Sequence, residues 1–194
     1  MSTAGLKKTK LAMVDLDGTL VFTLEANALA YARALAEYGF TLTREDYAAH
    51  CDGRAYRDFL PEIMGAGHPL IEQVHDRKIA LYPACLTQAE PNRLLLDILE
   101  GLRPQYLLAL VTTASRANVR AVLAHFGLSG FFDCVVTQED VSRAKPDPAC
   151  YLELMERLQI PAENCVIFED SASGVAAALA SGCQTLCVRR GGEP

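Results

Sequence analysis

Lys10-Leu11-Ala12-Met13-Val14-Asp15-Leu16-Asp17-Gly18-Thr19-Leu20 is the stretch on which the reading of this 194-residue chain turns. A short, unbroken apolar run is what a strand covered on both faces requires. It ends in two carboxylates two residues apart. Alternate side chains of extended backbone share a face, so Asp15 and Asp17 point the same way before Gly18 lets the chain turn. Like charges that close are costly unless a divalent cation or a proton joins them. The pair suits a nucleophile and metal ligand beside an acid/base. A plain Asp-capped turn after an edge strand would use the same residues, so the rest of the chain decides.

Working outward, four more brief runs read as buried strands: Tyr106–Thr112, Cys134–Thr137, Asn164–Glu169 and Gln184–Val188. Helix-period stretches separate them at Arg116–Phe126, Pro148–Leu158 and Ala172–Ser181. That alternation predicts an α/β fold, a doubly wound parallel sheet with right-handed crossovers. The span 23–87 breaks the rhythm. It reads as helices at Ala26–Tyr38, Arg44–Cys51, Arg54–Met64 and Ile71–Tyr82, punctuated by Gly39, Gly53, Gly65, Gly67 and Pro83. It is far longer than an ordinary loop. The expectation is a catalytic core of residues 1–22 and 88–194, with an all-helical cap of residues 23–87 over the sheet's carboxyl edge.

Chemistry recurs at that edge. Thr112-Thr113-Ala114-Ser115 ends the second strand and opens a helix, where hydroxyls and free N–H groups make an anion site. Ser115 would serve equally as an ordinary helix cap. Lys145 stands before Pro146 in Ala144-Lys145-Pro146-Asp147-Pro148, on backbone restricted enough to aim its ammonium. Glu169 and Asp170, in Phe168-Glu169-Asp170-Ser171-Ala172-Ser173-Gly174, are hard oxygen donors suited to Mg²⁺. Each has a bland reading as a surface charge or a cap. Their coincidence at the edge where open α/β sheets bind ligands does not.

Composition narrows the rest. With 51% hydrophobic and 22% charged residues the chain is an ordinary globular one, neither disordered nor in need of staples. A formal charge of −6 with no basic cluster argues against a nucleic-acid partner. Seven scattered cysteines without a C-x-x-C pair suit reduced thiols rather than a disulfide framework. The apolar run at Leu11–Val14 is too short for a signal core or a membrane span. A soluble cytoplasmic protein is expected, a monomer or weak homodimer. His50, His68, His75 and His125 lack ligand spacing and read as structural or surface groups.

D-x-D-G-T-L at Asp15–Leu20, the threonine-bearing strand end, Lys-Pro-Asp-Pro at Lys145–Pro148 and E-D-S-x-x-G at Glu169–Gly174 together resemble the haloacid-dehalogenase-like superfamily. The inserted helices are similar to the caps of phosphoglycolate-phosphatase and β-phosphoglucomutase-like members. The resemblance implies that Asp15 is the nucleophile forming an aspartyl-phosphate and that Asp17 is the acid/base. It implies Mg²⁺ held by Asp15, Asp170 and the main-chain carbonyl of Asp17, with Glu169 nearby. Thr113 (or Thr112) and Lys145 would bind the phosphoryl oxygens, with Gly18 and Ala114 beside them. Arg54 and Lys78 are the cap residues it points toward the substrate, with Arg57 and Arg77 as weaker alternatives. Thr19 is the phosphatase-like choice, and Asn27 stands where the mutases carry a histidine. A phosphatase acting on a small phosphorylated metabolite is therefore expected, ahead of a sugar-phosphate mutase and of a non-catalytic phosphate-binding protein. Phe22 replaces an acid usual in the family's first motif. Family members usually continue beyond the point where this sequence ends, at Gly191-Gly192-Glu193-Pro194, a shortness expected to bear on stability or association.

Overall fold

In the computed structural model, which describes residues 8–189, the opening apolar run is β1 (Lys10–Val14) and its last four residues are fully buried. Both faces are covered. Leu11 and Met13 join one core, Ala12 and Val14 the other. Complete burial of each large side chain here contributes about 1.5–3 kcal/mol. β1 lies at the centre of a five-stranded parallel sheet. On one side run β4 (Tyr106–Val111) and β5 (Cys134–Val136), on the other β6 (Cys165–Glu169) and β7 (Gln184–Cys187). The chain leaves β1 in both directions, and this topological switch point opens a crevice at the carboxyl ends.

Leu95 and Leu99 of α5 (Arg93–Leu102) and Val119, Val122 and Leu123 of α6 (Arg116–His125) seal one face. Tyr151 and Leu154 of α7 (Ala149–Leu158) and Ala177 and Ala178 of α8 (Ala172–Ala180) seal the other. The sequence reading assigns no helix between 88 and 105. The helical period is present there, with Arg93, Asp97 and Glu100 set against the buried Leu95 and Leu99, and α5 takes its start from Asn92, whose Oδ1 accepts from the N–H of Leu95.

The inserted span folds as α1 (Leu24–Glu37), α2 (Arg44–His50), α3 (Tyr56–Met64) and α4 (Ile71–Cys85). Tyr31, Leu35, Tyr47, Phe59, Leu60 and Val74 give it a core of its own. Pro83 does not stop α4, as punctuation there would suggest. The helix runs on to Cys85 although Pro83 has no N–H to offer the Ile79 carbonyl, because Tyr82 and Cys85 anchor the turn by burial. The two connectors between core and cap pair with each other. β2 (Val21–Phe22) and β3 (Glu90–Pro91) form a short antiparallel ribbon, with Phe22 opposite Glu90. Next to it, Asn92 donates from its backbone N–H to the Leu20 carbonyl (2.8 Å) and from Nδ2 to the Thr19 carbonyl (3.1 Å). Residues 190–194, where the sequence reading remarks on an early end, lie outside the described span.

Candidate active site

Three strand ends meet beneath the cap. Asp15 follows β1 directly, and its N–H donates to the Phe168 carbonyl of β6 at 3.0 Å, which fixes it beside Glu169. Glu169, the last residue of β6, is wholly buried. Gly174 in the first turn of α8 makes room for it, because any Cβ at that position would collide with the Glu169 carboxylate. Gly18 does the same for Asp170. Its φ is +85°, and a Cβ there would run into the Asp170 carboxylate. Thr19 then holds Asp170 from below, its Oγ1 donating to Oδ1 at 2.6 Å.

Lys145 closes the cluster. Its Nζ donates to Asp15 Oδ1 (2.6 Å), Glu169 Oε1 (2.5 Å) and the Val111 carbonyl (3.0 Å), so each ammonium proton has an acceptor. Only 4% of the side chain is exposed. Tyr151 of α7 donates its hydroxyl to the same Glu169 Oε1 at 2.7 Å. One cation thus serves two buried acids, with Asp170 adjacent. Burial pushes Asp15 up to about 8 against the pull of Lys145, and Glu169 adds to the rise. Asp170 is likewise driven to about 6, chiefly by burial and against its bond from Thr19. Burial works against the Lys145 charge too, but Asp15, Tyr151 and Glu169 outweigh it and hold the ammonium well above the ordinary lysine value. The site is short of positive charge. Ligand oxygens of Asp15, Glu169 and Asp170 all lie within 4.8 Å of one another, and such a set of hard oxygens fits a divalent cation.

Asp17 is oriented differently. Its Oδ1 accepts from Thr23 Oγ1 (2.5 Å) and, more weakly, from Asn27 Nδ2 (3.4 Å), so the carboxylate stands outside the three-acid cluster. Asn27 Oδ1 in turn accepts from Lys78 Nζ at 2.7 Å. The Lys78 ammonium sits over the rings of Tyr82 (4.1 Å) and Tyr31 (5.0 Å), and burial lowers its pKa to about 8. Above all these groups is a cavity of about 450 Å³ between sheet edge and cap, into which Asp15, Asp17, Lys145, Lys78, Thr112 and Thr113 all face.

Several expected groups sit differently from the sequence reading. The Gly18 N–H donates to the Val21 carbonyl at 2.8 Å, so Gly18 supplies space for Asp170 rather than an amide for phosphate. The Ala114 N–H donates to Thr112 Oγ1 at 3.0 Å; Thr112 is buried, whereas Thr113 is exposed. Ser115 caps α6 by accepting from the Asn118 N–H. Arg54 reaches the cavity with its fork already engaged by Glu62 (2.6 and 3.1 Å) and by the His50 carbonyl. Arg57 and Arg77 are paired with Glu72 and Glu37. His75, read as a structural group, faces the cavity, stacked on Tyr56 at 3.5 Å between ring centres and bonded to the Tyr31 hydroxyl. Thr23, Tyr151 and Asp52 go unremarked in the sequence reading. Thr23 and Tyr151 act through tertiary approach alone, and no local motif announces them.

A parallel sheet with a buried acid cluster and a buried ammonium at its carboxyl edge, facing a cavity, is the layout of an enzyme. The chain belongs to the haloacid dehalogenase-like hydrolase family, whose model matches residues 12–188. It is 32% identical over 178 residues to a phosphorylated carbohydrates phosphatase of Thermotoga maritima, covering 89% of this chain and 81% of that protein. It is 28% identical over 177 residues to the fructose-1-phosphate phosphatase YqaB of Escherichia coli, covering 90% and 94%. The crystal structure of CbbY from Rhodobacter sphaeroides in complex with phosphate superposes with a TM-score of 0.82 at 25% identity, covering 96% of this chain and 90% of that one.

Proposed function

We propose that this protein is a Mg²⁺-dependent phosphatase that hydrolyses a small phosphorylated metabolite through an aspartyl-phosphate on Asp15. One observation carries the reading: the Lys145 ammonium bridges Asp15 and Glu169 beside Asp170, under a cavity that also receives Asp17. The names of the relatives, a carbohydrate-phosphate phosphatase and a fructose-1-phosphate phosphatase, point the same way.

In this reading Asp15 attacks phosphorus in line, the bond to the leaving oxygen breaks, and Asp17 protonates that oxygen. Asp17, now a carboxylate, takes a proton from water. The water oxygen attacks phosphorus, and the bond to Asp15 breaks, which restores the nucleophile. Thr23 and Asn27 hold Asp17 in place through both steps. Lys145 aims the Asp15 carboxylate and, with Thr112 or Thr113, lies against the phosphoryl oxygens. Asp15, Asp170 and the Asp17 carbonyl, with Glu169 nearby, would hold Mg²⁺, which would supply positive charge against those oxygens. Positioning and positive charge are what phosphoryl transfer needs, and losing one such donor costs about 10²–10³ in rate. Cap residues exclude bulk water. Seven unpaired cysteines support a reducing, cytoplasmic setting, and no helix among the described residues is long and apolar enough to cross a membrane.

Purified protein with Mg²⁺ should release phosphate from p-nitrophenyl phosphate, and Asp15→Asn should reduce that release by at least about 10³-fold. Undiminished release by the variant defeats the reading. With β-glucose 1-phosphate, free glucose and phosphate are expected; glucose 6-phosphate would instead establish a mutase.

A further inference from the structure

The cap half of the cavity has an uneven charge inventory. Arg54 is matched bidentately by Glu62, and Arg57 by Glu72, which also accepts from the Tyr56 hydroxyl. Lys78 is 4% exposed, bonded to Asn27 and covered by two tyrosine rings. Asp52, in the loop between α2 and α3, is different. It lines the cavity, is exposed, and pairs with no cation among the described residues. Partial desolvation at the cavity wall and the nearby Asp17 raise its pKa, against a hydrogen bond from the Gly53 N–H that lowers it. Around it the wall is aromatic: Tyr31 stacks on Tyr47, Phe59 meets Tyr31 edge-on, and Tyr56 stacks on His75.

We propose that Asp52 is a specificity-determining residue, admitting phosphomonoesters of uncharged, hydroxyl-bearing alcohols and turning away substrates with a second anionic group. The inference rests on the phosphatase reading and deepens it. A lone carboxylate accepts hydrogen bonds from hydroxyls and repels phosphate or carboxylate, and a repulsive group of this kind discriminates as effectively as an added contact. Aromatic faces suit the C–H surface of a polyol better than a hydrated anion. A second phosphate would meet cap arginines paired with Glu62 and Glu72, but both pairs are solvent-exposed and weak, so the discrimination falls to Asp52.

The test compares fructose 1-phosphate with fructose 1,6-bisphosphate, which share a skeleton, by kcat/KM in wild type, Asp52→Asn and Asp52→Ala. The wild type is expected to prefer the monophosphate by about ten-fold or more, the size of effect one like charge produces across a partly solvated cavity. Both variants should bring the ratio close to one. A wild-type ratio near one, a ratio that neither variant moves, or turnover of neither fructose ester while p-nitrophenyl phosphate is hydrolysed overturns the proposal and leaves the phosphatase reading standing. Failure to hydrolyse p-nitrophenyl phosphate as well removes the phosphatase reading itself and this proposal with it.

Discussion

Between Tyr56 and Tyr31, His75 shows how the cavity wall sets a side chain's protonation. Burial, then the Lys78 charge, lower its pKa from 6.5 to about 4, although Asp76 and Glu72 pull the other way. Unfolded chains therefore take up a proton below about pH 6.5 that the folded protein refuses until about pH 4. Stability is lost as pH falls through that window and levels off beneath it. Replacing His75 with Gln should flatten the fall in urea midpoint between pH 7 and pH 5 relative to wild type; an unchanged slope would show that His75 takes up its proton alike in the folded and unfolded chain. This residue also marks where sequence reading stops. Nothing local distinguishes His75 from His50, His68 or His125, because its role comes from a ring 19 residues away in Tyr56 and a hydroxyl 44 residues away in Tyr31. Asp15, Glu169 and Asp170 were legible for the opposite reason, and Lys145 by its place before Pro146. A polar group at the end of a doubly buried strand stands out against the apolar run before it, and three such ends share one edge.

Among the elements, strands buried on both faces announce themselves, and the five of the main sheet fall within a residue or so of their sequence bounds. Two-residue strands do not. β2 and β3 are too short for alternation to register, so the ribbon they form was invisible, whereas α5 behind it carries an Asn cap and an apolar stripe at Leu95 and Leu99 that mark a helix. Asn92 links these pieces to the site. It caps α5, and its backbone and side-chain N–H groups tie the second connector to the carbonyls of Leu20 and Thr19. Thr19 in turn supports Asp170. Asn92→Ala removes a helix cap and a side-chain hydrogen bond, an expected loss of about 1–3 kcal/mol by urea denaturation. Loss confined to a few tenths would mean that the connector is held by β2–β3 pairing alone.

On the scale of the whole molecule, the shortage of positive charge among Asp15, Glu169 and Asp170 should tie fold stability to cation binding. A ligand that binds only the folded state at a hundred times its Kd stabilises by about 2.7 kcal/mol. For a chain of this length that corresponds to a Tm rise of roughly 5–10 °C. Mg²⁺ should produce such a shift in a melting scan, EDTA should reverse it, and Asp170→Asn should abolish it; a melting curve indifferent to Mg²⁺ would argue that the acids are neutralised by protons instead. The ribbon of β2 and β3 has one more consequence. Since the inserted helices enter and leave through adjacent, mutually bonded strands, their two ends lie side by side, and Ala26, Ala30, Tyr82 and Cys85 at their roots pack into the same core as Ala12 and Val14 of the sheet. Any other set of helices grafted at this doorway would have to keep those four anchors, while the residues facing the cavity stay free to vary.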